Sequence, residues 1–183
     1  MSTIDFNALR DRAYKIACDH GFHDEESSNE HYLMLVITEL SEAVEADRKN
    51  KRTSTLDLAW AKATVDESHL LEEHFPEKIK DTVEDELADT VIRLLDLAGS
   101  QKVNMNGRII FTYVVSKKKT FTENCFAIIK DIVNYKYTLE EQLNYAIRQV
   151  FELASFYDID LLWHIETKMR YNEHRPKMHG KKY

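Results

Sequence analysis

Two pairs of acids recur at the spacing of one helical turn: Glu39-x-x-Glu42 in TELSEAVEAD and Glu86-x-x-Asp89 in EDELADTVIRLLD. Residues three apart on a helix are neighbours on one face, and each pair sits in a stretch whose apolar residues repeat at helical intervals. Two such helices packed together bring four carboxylates into one small volume. At an effective dielectric near 20, like charges about 4 Å apart repel by roughly 4 kcal/mol, so the cluster requires a cation. Oxygen-only ligation suits Mg2+, Mn2+ or Ca2+ rather than zinc. A solvated helix face is the plain alternative for either pair alone. Against it, both pairs border apolar stripes and are followed by further apolar residues.

A second group lies near the C-terminus, where Lys168, Asn172 and Arg175 fall at i, i+4 and i+7 of a predicted helix. Two cations and an amide on one face suit a polyphosphate, the arginine as a fork and the lysine as a point charge. The alternative is a basic last turn complementing the helix dipole, an effect of about 0.3–1 kcal/mol. Asp96 lies two turns past Asp89, open to a role as outer ligand, base or salt-bridge partner. Arg93, four residues past Asp89, has the spacing of an intrahelical ion pair. His23-Asp24 is an adjacent pair of the kind HD-type phosphohydrolases use, but it falls in a predicted loop without a supporting set and reads as a loop or capping pair. No glutamate has a histidine three residues on, which excludes a ferritin-like di-iron site. Zinc-type Cys-x-x-Cys and His-Glu-x-x-His spacings are absent.

The elements that must position these residues read as helices throughout. Four Gly and two Pro in 183 residues, against roughly 13 and 9 at average usage, favour long helices and short loops over a turn-rich β fold. Helices are predicted over 4–20, stopped by Gly21; over 29–49, opened by a Ser27-x-x-Glu30 capping box; and over 55–74. Pro76 fits the first position of a helix running to Ala98, with Glu86 and Asp89 in its middle and Gly99 at its end. Further helices are predicted over 123–134, over 138–157 from a Thr138-x-x-Glu141 box, and from Asp160 to about Arg175. Ile109–Val115 is β-branched and aromatic and left open between strand and helix.

The length suits one domain with its own core. A net charge of −7 argues against nucleic acid as a general partner, although the segment 168–183 is basic. Cys18 and Cys125 stand alone in apolar helical patterns, predicting buried free thiols and a cytoplasmic protein. No signal peptide or membrane span is predicted. Phe22, Tyr32, Trp60, Trp163 and Tyr171 are open between stacking on a base and packing in the core.

With the acidic pairs and the tail together, the chain resembles the all-α nucleoside triphosphate pyrophosphohydrolases, the MazG-like proteins. Three blocks carry the resemblance: 33–52 (LMLVITELSEAVEADRKNKR), 79–99 (IKDTVEDELADTVIRLLDLAG) and 158–183, which contains KMRYNEHRP and HGKKY. The resemblance implies a single all-α helical bundle over 1–183, with inserted segments at about 53–75 and 100–157. It implies Glu39, Glu42, Glu86 and Asp89 as ligands of Mg2+ (or Mn2+), with Glu39 or Glu42 as general base. Lys168, Asn172 and Arg175 would then meet the phosphates of a nucleoside triphosphate, cleaved between its α- and β-phosphorus. A homodimer or homotetramer is implied as well. Two other readings stay open: a non-catalytic helical scaffold or nucleotide-binding regulator, and the same fold acting on another nucleotide such as phosphoribosyl-ATP.

Overall fold

The computed structural model describes residues 4–64, 68–105 and 115–180. Its described residues form eight α-helices and a closing 3-10 turn, with no strand: α1 Phe6–Asp19, α2 Asn29–Arg48, α3 Thr55–Thr64, α4 Ser68–Lys78, α5 Val83–Ser100, α6 Phe121–Asn134, α7 Leu139–Phe156 and α8 Leu161–Glu173. The all-α expectation therefore holds. Most of Ile109–Val115 lies outside the described residues; Val115 itself is buried.

The central element is α5. Between Val83 and Ala98 only Asp89, Ile92 and Arg93 escape full burial, because α1, α2, α7 and α8 all pack around this helix. Leu87, Val91, Leu94 and Leu95 join Val36, Leu40, Ile128, Ile147, Leu153 and Ile165 in one core. Helices α6 and α7, in the segment expected as an insertion, contribute to that same core. Helices α3 and α4 form a smaller one from Ala61, Leu71, Phe75 and Ile79. Tyr171 stacks on Phe75 there with ring centroids 4.4 Å apart, so this aromatic serves packing.

Several boundaries depart from the sequence reading. The 55–74 helix is two helices, and Pro76 lies in the last turn of α4 rather than opening α5. The chain then turns through Asp81 at φ 59°, and Thr82 caps α5 by accepting the Asp85 N–H. This moves Glu86 from the expected mid-helix position into the first turn, beside Glu84 and Asp85, where the helix dipole favours negative charge. The cap of α2 is Ser28, one residue later than expected, accepting from His31 at 3.2 Å. Both a missed Thr120-x-x-Glu123 capping box and the predicted Thr138 box are present. Cys125 is buried, but Cys18 is exposed, its place in α1 falling outside the stripe that Leu9, Ala13 and Ile16 bury.

Gly99 does not end α5. A Cβ there would lie 2.3 Å from the Cβ of Tyr14, so the glycine lets α1 approach α5 closely. Helix propensity favours Ala over Gly by about 1 kcal/mol, but overpacking at rigid backbone costs typically 1–3 kcal/mol. Gly99→Ala is therefore expected to lower stability by about 1 kcal/mol or more in a urea titration; a gain would mean that α1 has room to move.

Candidate metal and anion site

The site forms where α2 crosses the start of α5. Glu39 and Glu42 project from α2 and Glu86 from α5, each offering an oxygen within 4.8 Å of the others. Glu39 and Glu86 are buried while Glu42 is exposed, so the cluster opens on one side. Around Glu42 and Glu86 that opening carries Lys49, Lys51 and Asp81. Around Glu39 a narrow cleft leads the other way, lined also by Asp89, Arg93, Asn172 and Arg175. The predicted residues other than Lys168 thus divide between two openings of one acidic cluster.

The fourth predicted ligand behaves differently. Asp89 accepts from Lys168 Nζ at 2.8 Å and is not one of the three converging acids. Lys168 donates equally to Asp85 Oδ2, at 2.7 Å, from a side chain only 4% exposed. The sequence grouped Lys168 with Asn172 and Arg175; the structure turns its ammonium inward between two carboxylates. The cause is the face of α8 that packs on α5. Arg175 falls beyond the end of α8. His20 holds the backbone there, with ring nitrogens 2.8 Å from the Ile16 carbonyl and 2.9 Å from that of Arg175.

Arg93 also departs from expectation. It pairs across to α2, donating from Nε to Glu39 Oε1 at 3.1 Å, rather than with Asp89 on its own helix. Asp96 accepts from His23 Nε2 at 2.7 Å, and the other ring nitrogen of His23 lies 3.1 Å from the Tyr32 hydroxyl. Since a carboxylate only accepts, the hydrogen bond to Asp96 is donated by His23 Nε2–H. This chain anchors the loop between α1 and α2 to α5. Sequence reading treated His23 as a capping pair with Asp24, because nothing local reveals a partner 73 residues away.

Burial and mutual repulsion set the charge states. Glu86 is pushed up to about 9, chiefly by burial and then by Asp89 and Asp85. Asp85 rises to about 6, again from burial, although Lys168 opposes the rise. Lys168 is held above its usual range by Asp85 and Asp89, against its own burial. Asp85 Oδ1 is buried without a hydrogen-bond partner, and Asp81, Asp85 and Glu86 offer a second set of converging oxygens. An all-carboxylate donor set, one orphaned oxygen and a glutamate kept protonated for want of charge compensation fit a hard divalent cation.

No protein-family model, curated protein or solved structure matches this chain.

Two outcomes are expected. Breaking a buried ion pair from one side costs about 3–5 kcal/mol, so Lys168→Met should unfold at markedly lower urea, and adding Asp85→Asn should recover part of the loss. The second concerns pH. A glutamate whose folded pKa lies above its unfolded one contributes stability at low pH that is lost as pH rises through the folded value. Buried His164, pushed down to about 4, acts in the opposite direction below about pH 6.5, and the buried Cys125 thiol, pushed up to about 12, adds its own fall above about pH 8.5, which leaves the range from about pH 7 to about 8.5 as the clean window. Across it the melting temperature of the metal-free protein should fall, by roughly 3–5 °C per pH unit while folded Glu86 keeps a proton that the unfolded chain has lost. Glu86→Gln should flatten the slope; an unchanged slope would show that Glu86 is not its source.

Proposed function

We propose that this chain hydrolyses nucleoside triphosphates between the α- and β-phosphorus in a Mg2+-dependent reaction, giving the monophosphate and pyrophosphate. This is the activity of the MazG-like pyrophosphohydrolases that its sequence resembles. The observation that carries the reading is the convergence of Glu39, Glu42 and Glu86 within 4.8 Å, beside a cleft that Asn172 and Arg175 line. Had Glu39 and Glu86 merely decorated a solvated face, they would not be buried at such cost.

A divalent ion held by these carboxylates would polarise the α-phosphate and neutralise the pyrophosphate leaving group. The protein's own groups supply the rest. Arg175 offers a fork, and Asn172 an amide, to the phosphates entering the cleft. Glu42, exposed and without a hydrogen-bond partner among the described residues, takes the proton from the attacking water as general base. Glu39, already committed to Arg93, positions charge. Lys168 acts one step back, by holding Asp85 and Asp89 in place.

The homodimer or homotetramer that the resemblance implies draws support from a groove between α2 and the α6–α7 turn, where Met34, Val133 and Tyr137 are largely exposed. No helix among the described residues is long and apolar enough to cross a membrane.

Purified protein with Mg2+ and a panel of NTPs, dNTPs and phosphoribosyl-ATP should release pyrophosphate from at least one of them. Glu86→Gln and Glu42→Gln should each lower kcat/KM by about 10²–10⁴. Release of orthophosphate in place of pyrophosphate, or full turnover by both variants, would sink the proposal.

A further inference from the structure

Arg93 is the one strong donor of the cleft that sequence spacing assigned to the wrong partner. It is anchored at one point only, by the bond from Nε to Glu39. Its two terminal nitrogens, four N–H groups in all, meet no acceptor among the described residues, although the side chain is only 18% exposed. The guanidinium lies over the ring of Phe22, 5.6 Å from its centroid. It borders both the Glu39 cleft and a neighbouring one of about 290 Å3. A rigid fork with its outer edge unpaired, where two clefts meet, is built to accept an oxyanion.

The tether to Glu39 makes that fork conditional. Glu39 belongs to the converging acids, and a divalent cation and a guanidinium sharing one carboxylate repel each other. We propose that Arg93 is an exchangeable counter-cation: it neutralises Glu39 in the metal-free protein and passes to a phosphate group of the polyphosphate when a cation takes Glu39. Arg93 then couples the two ligands. By thermodynamic linkage, whatever frees it from Glu39 tightens anion binding, and an anion that holds it eases cation entry by the same factor. This inference rests on the metal reading above and adds the residue that orders binding. A carboxylate neutralised in advance costs the folded protein less, and the charge of Arg93 stays shared with Glu39 until the cation is in place.

The exchange can be tested by equilibrium binding, without turnover. In EDTA, inorganic tripolyphosphate titrated by calorimetry should bind Glu39→Gln at least tenfold more tightly than wild type, because Arg93 is released. Glu42→Gln removes the same charge without touching Arg93 and should change affinity by less than threefold. The gain should vanish in Glu39→Gln/Arg93→Met. Without anion, Mn2+ followed by electron paramagnetic resonance should bind Arg93→Met at least fivefold more tightly than wild type, with Arg93→Lys between them. Equal gains in the two glutamate variants, or a gain that survives in the double variant, overturn the exchange. So does Mn2+ affinity unaffected by Arg93→Met. A wild-type chain that binds no Mn2+ overturns the metal reading and the exchange together. Circular-dichroism melts of each variant separate a binding change from a loss of fold.

Discussion

Everything in this fold answers to one difficulty: its most buried helix begins with carboxylates. Glu84, Asp85 and Glu86 all lie inside the protein in the first turn of α5, where water cannot solvate them. Burying an unpaired charge is among the costliest things a protein can do. The surrounding elements are arranged to compensate. Thr53 donates its backbone N–H to Glu84 at 3.0 Å, with Arg52 nearby at 3.8 Å. Asp81 donates its N–H to Asp85, and Lys168 reaches in from α8. The helix dipole contributes its positive end. Glu86 receives the least of this and keeps its proton.

That pattern separates structural acids from available ones. Glu84 and Asp85 each accept a backbone N–H, whereas Glu39 pairs with the side chain of Arg93 and Glu42 has no hydrogen-bond partner among the described residues. Among the acids of α2, the pairing thins from buried Glu39 to Glu42 on the exposed face. A cation arriving from solvent meets the least committed oxygens first.

The acidic pairs and the all-α class were legible in the sequence because helical periodicity and a scarcity of breakers are local signals. Lys168 and Arg93 were not. On a helix buried on nearly every side, as α5 is, the apolar stripe no longer reports which way a charged neighbour points. Both residues had plausible local assignments, at i+4 and i+7 spacing, yet each pairs with a different helix. The boundary of α5 was missed for a related reason. Pro76 is an acceptable first-turn residue, but the left-handed turn at Asp81 and the cap at Thr82 compete for the same start. Gly99 looked like a terminator because a glycine required by an inter-helix contact has no signature of its own. The Asp96–His23–Tyr32 chain joins three segments and has no sequence signature at all.

The start of α5 is also where the chain meets itself. The Val83 N–H bonds to the Lys51 carbonyl at 3.1 Å, and the hydroxyls of Thr53 and Thr82 lie 3.2 Å apart. The excursion through α3 and α4 therefore starts and ends at one clasped point, and in between it rests on α8 through Trp163, Tyr171 and the Lys62–Asp160 ion pair. A loop whose ends are already joined changes length at little entropic expense, each doubling adding only about 0.6 kcal/mol. The chain between Thr53 and Thr82 is in this sense a cassette. Exchanging or trimming it would uncover Trp163 and Tyr171, and only a version that keeps the Asp81 N–H on Asp85 leaves the acids beside the clasp in place.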